Sequence, residues 1–151
     1  MSPWLTVCLT FTAVVCDFGL ARVTTQAISV DGAKFKDIGG FSPRYAAPEV
    51  LANMALMITT DPEMDKKSDV YSFAIIIWEM VTRHVPWEGL SREQIEVSVR
   101  SGSRPQFAPS LTTGEDPALT ILTEMAQSCW QENPNFRPSF DQITSKIASL
   151  L

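Results

Sequence analysis

Cysteine is scarce in this sequence. Cys8, Cys16 and Cys129 are the three among 151 residues, and their spacing matches no metal-binding pattern. An odd, sparse set argues against a disulfide-stapled scaffold and a zinc module, and points to a reducing, cytoplasmic setting. Histidine occurs once, at His84, with no Cys or Ser partner pattern to make a nucleophile and base. It reads instead as a loop residue near a helix C-terminus, where a cation is favoured. Basic residues are outnumbered, 12 against 17 acidic, for a net charge of −5. Such a chain is a poor phosphate binder, which excludes nucleic-acid and anionic-membrane roles. No apolar run reaches the roughly 20 residues of a transmembrane helix. Glycine (7) and proline (10) are near ordinary usage, so the chain is neither collagen-like nor low-complexity.

Residues 1–16 lack any charged residue, His, Asn or Gln. Two readings of this stretch stand. Residues 5–15 resemble the apolar part of a secretory signal, but no Lys or Arg precedes them and Ala13-Val14-Val15 is a poor cleavage site. The favoured reading makes residues 12–16 a buried strand rich in β-branched side chains, with residues 1–11 poorly anchored.

What is present reads as mainly α. The composition is 45% hydrophobic, enough at this length for one core. Residues 23–44 form a polar, aperiodic loop, and loops of that length in compact domains are usually functional or disordered. A short helix follows over residues 47–57, with Pro48 in its first turn, then a loop over residues 58–67. Residues 68–82 are apolar around nearly the whole circumference, which predicts a buried central helix. Ser91-Arg92-Glu93-Gln94 and Ser139 with Gln142 are capping boxes, the first flanked by a Leu90–Ile95 staple. Asp116 and Pro117 read as N-cap and first helical position. The expected core comprises Phe73, Ile76, Ile77, Met80, Leu122, Met125, Trp130 and Ile143.

Two triplets stand in order with the polar loop between them: Asp17-Phe18-Gly19, then Ala47-Pro48-Glu49. Residues 67–79, Pro86-Trp87, Cys129-Trp130, Asn133-Pro134 and Arg137-Pro138 complete a series of spaced motifs. Together they resemble the protein kinase family, from the activation segment to the C-terminal helices, in the style of the tyrosine-kinase-like group of Ser/Thr kinases. The resemblance implies a large-lobe fragment over residues 14–151, preceded by a non-kinase or poorly ordered segment over residues 1–13. It implies that Asp17 holds Mg²⁺ against ATP phosphates, since a hard cation wants carboxylate oxygen. It implies that Phe18 packs in the core, that Thr24, Thr25 and Ser29 are activation-loop phosphorylation candidates, and that Ser42, Pro43, Arg44 and Tyr45 line a substrate groove. It further implies a buried Glu49–Arg137 ion pair, and an Asp69 that is buried and accepts hydrogen bonds from the catalytic loop. Its partners would be a protein substrate or a docking protein; the oligomeric state is not readable.

There are departures. Ala74 replaces the usual Gly, Phe41 replaces the Gly expected before Ser42, and residues 58–63 look inserted. The larger departure lies before Asp17. The Gly-rich loop, strand Lys and catalytic Asp and Asn of the family precede the Asp-Phe-Gly triplet, yet residues 1–16 contain no Gly, Lys, Asp or Asn. The expectation is therefore a partial kinase sequence, related to enzymes that transfer the ATP γ-phosphate to protein Ser/Thr but inactive alone. The alternative is a non-catalytic, pseudokinase-like docking module.

Overall fold

A computed structural model describes residues 42–56, 62–112 and 116–149 of the chain. Asp17, Phe18, Thr24, Thr25, Ser29 and the strand expected over residues 12–16 lie outside the described residues. Among the described residues there are six α-helices, two 3-10 turns and no strand. The helices are α1 (Pro48–Leu56), α2 (Pro62–Thr82), α3 (Arg92–Arg100), α4 (Pro109–Thr112), α5 (Pro117–Cys129) and α6 (Phe140–Ala148); the turns are Pro43–Tyr45 and Pro134–Phe136.

Three helix starts follow directly from local chemistry. The hydroxyls of Ser91 and Ser139 accept from the backbone N–H of Gln94 and Gln142, whose side chains accept in return from the Ser91 and Ser139 N–H groups. Each box satisfies donors that a helix N-terminus otherwise leaves orphaned. Asp116 caps α5 by accepting from the N–H groups of Ala118 and Leu119, with Pro117 where a missing N–H costs nothing. The end of α2 is less comfortable. Arg83 takes a left-handed φ of 58° while its N–H donates to the Glu79 carbonyl at 2.7 Å. Glycine usually fills that position, and a side chain there costs about 1–2 kcal/mol.

The core is assembled on α2. Val70, Tyr71, Ala74, Ile75, Ile77 and Trp78 are buried against Met125, Ala126 and Cys129 of α5 and Ile143 of α6, with Ile95 and Val99 of α3 and Ala47 and Leu51 beside α1 completing the cluster. Burying each large aliphatic contributes roughly 1.5–3 kcal/mol. α5 packs along α2, while α3 packs on α1 and on the Pro43–Tyr45 turn.

The structure corrects the sequence reading at the start of α2 and at two residues of the expected core. Helix α2 begins at Pro62, within the segment expected to be a loop. Its first turns carry no apolar periodicity, so burial does not announce them; Pro62 sits at the first helical position and Met64, Lys66 and Lys67 are good helix formers. Ile76 and Met80, expected in the core, are 43% and 59% exposed. They share one face with Asp69 and Phe73 at helical spacing, where Phe73 meets Phe140 edge-on at 5.7 Å. An apolar side chain on a helix tolerates burial but does not guarantee a neighbour to bury against. Of the remaining expected core, Ile77, Met125, Trp130 and Ile143 are buried, and Phe73 and Leu122 pack partly buried on the cluster. Helix α4 and both 3-10 turns carried no sequence signal beyond their prolines.

Candidate functional site: the clamped turn before α1

The 3-10 turn Pro43–Tyr45 is held from below by α2. The Tyr45 hydroxyl donates to Glu79 Oε2 at 2.8 Å, and the Ser72 hydroxyl donates to the Tyr45 carbonyl at 2.9 Å. Burial pushes the Tyr45 phenol above its ordinary value; the hydrogen bond to Glu79 and its negative charge push the same way, against a smaller opposite effect of Arg44. Arg44 reaches sideways, its Nη1 donating to the Pro86 carbonyl at 2.5 Å. Ser42, Pro43, Arg44 and Tyr45 thus present a surface held by Ser72 and Glu79 of α2 and by the Pro86 carbonyl of the following loop. Ser42 itself is exposed and makes no side-chain cap.

Immediately behind the turn, Glu49 meets Arg137 across the fold. Arg137 Nη1 donates to Glu49 Oε1 at 2.6 Å and Nη2 to Oε2 at 2.8 Å, the two-pronged geometry in which guanidinium and carboxylate fit best. Ser68 adds a hydroxyl donor to Oε1 at 2.7 Å. Burial by itself would raise the Glu49 carboxyl; the hydrogen bonds from Arg137 and Ser68 and the arginine charge outweigh it and hold the group below the usual carboxylate range. The other donors of Arg137 go to the carbonyls of Gln131, Lys67 and Glu132, and Lys67 Nζ donates back to the Arg137 carbonyl. Glu49, near the start of α1, is in this way tied to the turn before α6.

Sequence reasoning missed the aromatic centre of this cluster. Tyr71 is buried with its ring between two guanidinium groups, Arg104 at 5.1 Å and Arg137 at 5.2 Å from the centroid. Arg104 also donates to the carbonyls of Trp130 and Val99 and pairs with Glu132 at 2.7 Å. It therefore joins the C-terminal ends of α3 and α5 to the centre of α2. Nothing local marks Arg104 in the sequence, because its partners come from three separate helices. His84 is exposed, with Nδ1 2.7 Å from the Thr82 carbonyl at the end of α2. Asp69, expected to be buried, lies on the exposed face of α2.

Among the described residues no group of three or more His, Cys, Asp or Glu is placed to hold a metal ion, and no helix is long and apolar enough to cross a membrane.

A helical unit built on one buried helix, with a clamped turn before α1 tied to the last helices, defines the class: the larger, helical lobe of a protein-kinase-type domain. The family model described as protein tyrosine and serine/threonine kinase matches residues 7–147, and the chain belongs to that family. The chain is 38% identical over 137 residues to the probable serine/threonine-protein kinase drkC of Dictyostelium discoideum, covering 90% of this chain and 16% of that protein. It is 33% identical over 150 residues to the serine/threonine-protein kinase CTR1 of Arabidopsis thaliana, covering 99% of this chain and 16% of that protein. It is 35% identical over 139 residues to the putative serine/threonine-protein kinase/receptor R826 of Acanthamoeba polyphaga mimivirus, covering 91% and 8% respectively. The chain thus spans a small part of the length of these relatives.

Proposed function

We propose that residues 14–151 form the substrate-side part of a protein Ser/Thr kinase domain, running from the activation segment to the C-terminal helices. The observation that carries this reading is the clamped turn. Its backbone is fixed by Ser72 and Tyr45, and Glu49 and Arg137 fix the segment that follows, so residues 42–45 offer a pre-shaped ledge for an extended substrate peptide. Phosphoryl transfer depends mostly on positioning and electrostatics, and such a ledge supplies positioning of the acceptor. Asp17 is the residue proposed for Mg²⁺ and ATP, and Thr24, Thr25 and Ser29 are the proposed phosphorylation sites of the loop. Phe18 is proposed to pack in the core, and Asp69 to accept hydrogen bonds from the catalytic loop of a complete domain. The described residues include none of the proposed metal or phosphate ligands.

The 151-residue chain by itself is proposed to be inactive, with a protein substrate or docking protein as its partner, no nucleic acid or membrane, and a cytoplasmic location. Mg²⁺ is held through one or two carboxylates together with positioned phosphates, and residues 1–16 hold no Lys or Gly-rich loop to position them. Calorimetric titration with Mg·ATP and a radiolabelled transfer assay test this. The expected result is neither saturable binding nor transfer. Saturable ATP binding, or transfer abolished by Asp17→Ala, would refute it. A non-catalytic docking role is the second reading, favoured by a cleft of about 680 Å³ lined by Trp78, Val85 and Leu90.

A further inference from the structure

Helix α3 stops in a tight turn. Gly102 takes a left-handed φ of 86°, and the N–H groups of Gly102 and Ser103 donate back to the carbonyls of Val99 and Ser98 at 3.1 and 2.9 Å. This is the two-bond closure that glycine permits after a last helical turn. It leaves a serine on either side of Gly102, both exposed, with their hydroxyls 3.5 Å apart. The two differ in what else they do. The Ser101 hydroxyl donates to the Ser98 carbonyl at 2.8 Å. The Ser103 hydroxyl has, among the described residues, only the Ser101 hydroxyl beside it.

Two arginines bracket Ser103. Arg100 is exposed in the last turn of α3 and forms no ion pair among the described residues. The carboxylate one turn before it, Glu96, is taken by Arg92 at 2.9 Å. Arg104 turns back onto Ser103: its Nη1 donates to the Ser103 carbonyl at 2.7 Å and to the Val99 carbonyl at 3.2 Å. Its Nε is held by the Trp130 carbonyl, and its Nη2 pairs with Glu132 at 2.7 Å. Glu132 is 58% exposed, so that one arm of Arg104 is open to exchange for a stronger acceptor.

We propose that Ser103 is a phosphorylation site for a protein kinase that reads cations around its acceptor, and that Arg100 and Arg104 then hold the phosphate in place of Glu132. In the transfer, Ser103 Oγ bonds to the γ-phosphorus of ATP while the bond from that phosphorus to the β,γ-bridging oxygen breaks. ADP leaves, and the hydroxyl proton passes to a base of the modifying kinase. Exposed cations beside the acceptor suit an enzyme with an acidic groove. The product carries nearly two negative charges and three acceptor oxygens, which a guanidinium fork binds more strongly than it binds one exposed carboxylate. The end of a helix repels an anion, but here the carbonyls of Val97, Ser98 and Val99 are already bonded. The bonds of Arg104 to the Trp130 and Val99 carbonyls are kept, and Glu132 loses its cation. Because α3 packs on the Pro43–Tyr45 turn, the modified residue ends the helix that backs that turn. The proposal does not rest on any activity of this chain, since the kinase is a separate one.

The test treats the full chain with Mg·ATP and a purified arginine-directed Ser/Thr kinase. Mass spectrometry maps the phosphate, and ³¹P NMR titrates it. The expected result is phosphate on Ser103, unaffected by Ser101→Ala and formed about tenfold more slowly in Arg100→Ala. The second ionisation of the phosphate should lie at least about 0.5 pH unit below that of the same phosphoserine in a synthetic peptide of residues 98–108. Arg100→Ala should narrow that difference, and Glu132→Gln, which removes the competitor, should widen it. Circular dichroism of each variant should match the parent, because these side chains are exposed. Phosphate confined to other hydroxyls, Ser101 included, would overturn the site. Equal rates on the parent and Arg100→Ala would overturn recognition through the flanking cations. A phosphoserine that titrates as in the peptide would overturn its capture by Arg100 and Arg104.

Discussion

Replacing Arg137 with alanine removes more hydrogen bonds than any other single truncation in the described fold. The guanidinium makes two bonds to Glu49, at 2.6 and 2.8 Å, and three to the carbonyls of Gln131, Lys67 and Glu132, at 2.8, 3.0 and 3.3 Å. Its side chain is fully buried and that of Glu49 is 16% exposed. Without it, Glu49 keeps only the Ser68 hydroxyl among these donors, and a nearly buried carboxylate is left without a cation. Breaking such a pair costs about 3–5 kcal/mol. That is a large part of a typical domain stability of roughly 5–15 kcal/mol. With a urea slope of about 1–3 kcal/mol/M, the unfolding midpoint of Arg137→Ala should fall by about 2 M. Arg137→Lys keeps the charge but not the two-pronged geometry, and should fall between. The pH dependence gives an independent check. The Glu49 carboxyl is held low in the folded chain because Arg137 and Ser68 outweigh burial. Its contribution to stability is therefore present above the unfolded value, near ~4.3, and is lost as pH falls through the folded value. In Arg137→Ala the burial penalty acts with only Ser68 and a backbone hydrogen bond against it, so protonating Glu49 relieves the variant. The gap between parent and variant should narrow as pH drops below about 4. A variant that melts within about 0.5 kcal/mol of the parent at neutral pH would refute the reasoning, since that is the size of an ordinary surface substitution.

Tyr71 has a buried hydroxyl without a partner, so Tyr71→Phe should be neutral or stabilise the chain by up to about 1–3 kcal/mol in urea titrations; a clear loss would show that the hydroxyl is bonded in solution. Burial, partly offset by Arg104 and Arg137, pushes this phenol up to about 12. The stability it carries is present below about 10 and is lost as pH rises through about 12, so alkaline unfolding followed by phenolate absorbance should shift upward in Tyr71→Phe. Ile77→Ala should cost about 2–5 kcal/mol, whereas its half-exposed neighbour Ile76→Ala should cost less than about 1; equal losses would contradict the placement of the open face of α2.

Much of this protein is determined by short stretches of its own sequence. Three helix starts are set by chemistry within four residues, at Ser91, Asp116 and Ser139, because a cap and the N–H groups it satisfies are neighbours in the chain. The apolar run of residues 68–82 is itself enough for a central helix, and the ordered series of motifs is enough for the family. Tertiary structure decided what depends on distant residues. Whether Ile76 or Ile77 is buried turns on where α5 and α6 lie, because both are equally apolar. The extension of α2 to Pro62 left no mark, since residues 62–67 carry no apolar periodicity. Glu49 and Arg137 were legible as residues, but the meeting of guanidinium and carboxylate across 88 positions needs the whole fold. Arg104 was not legible at all. Its role exists only where α2, α3 and α5 converge, and the loop that lines a cleft with it turns through left-handed bends at Arg83 and Trp87 that no residue preference foretells.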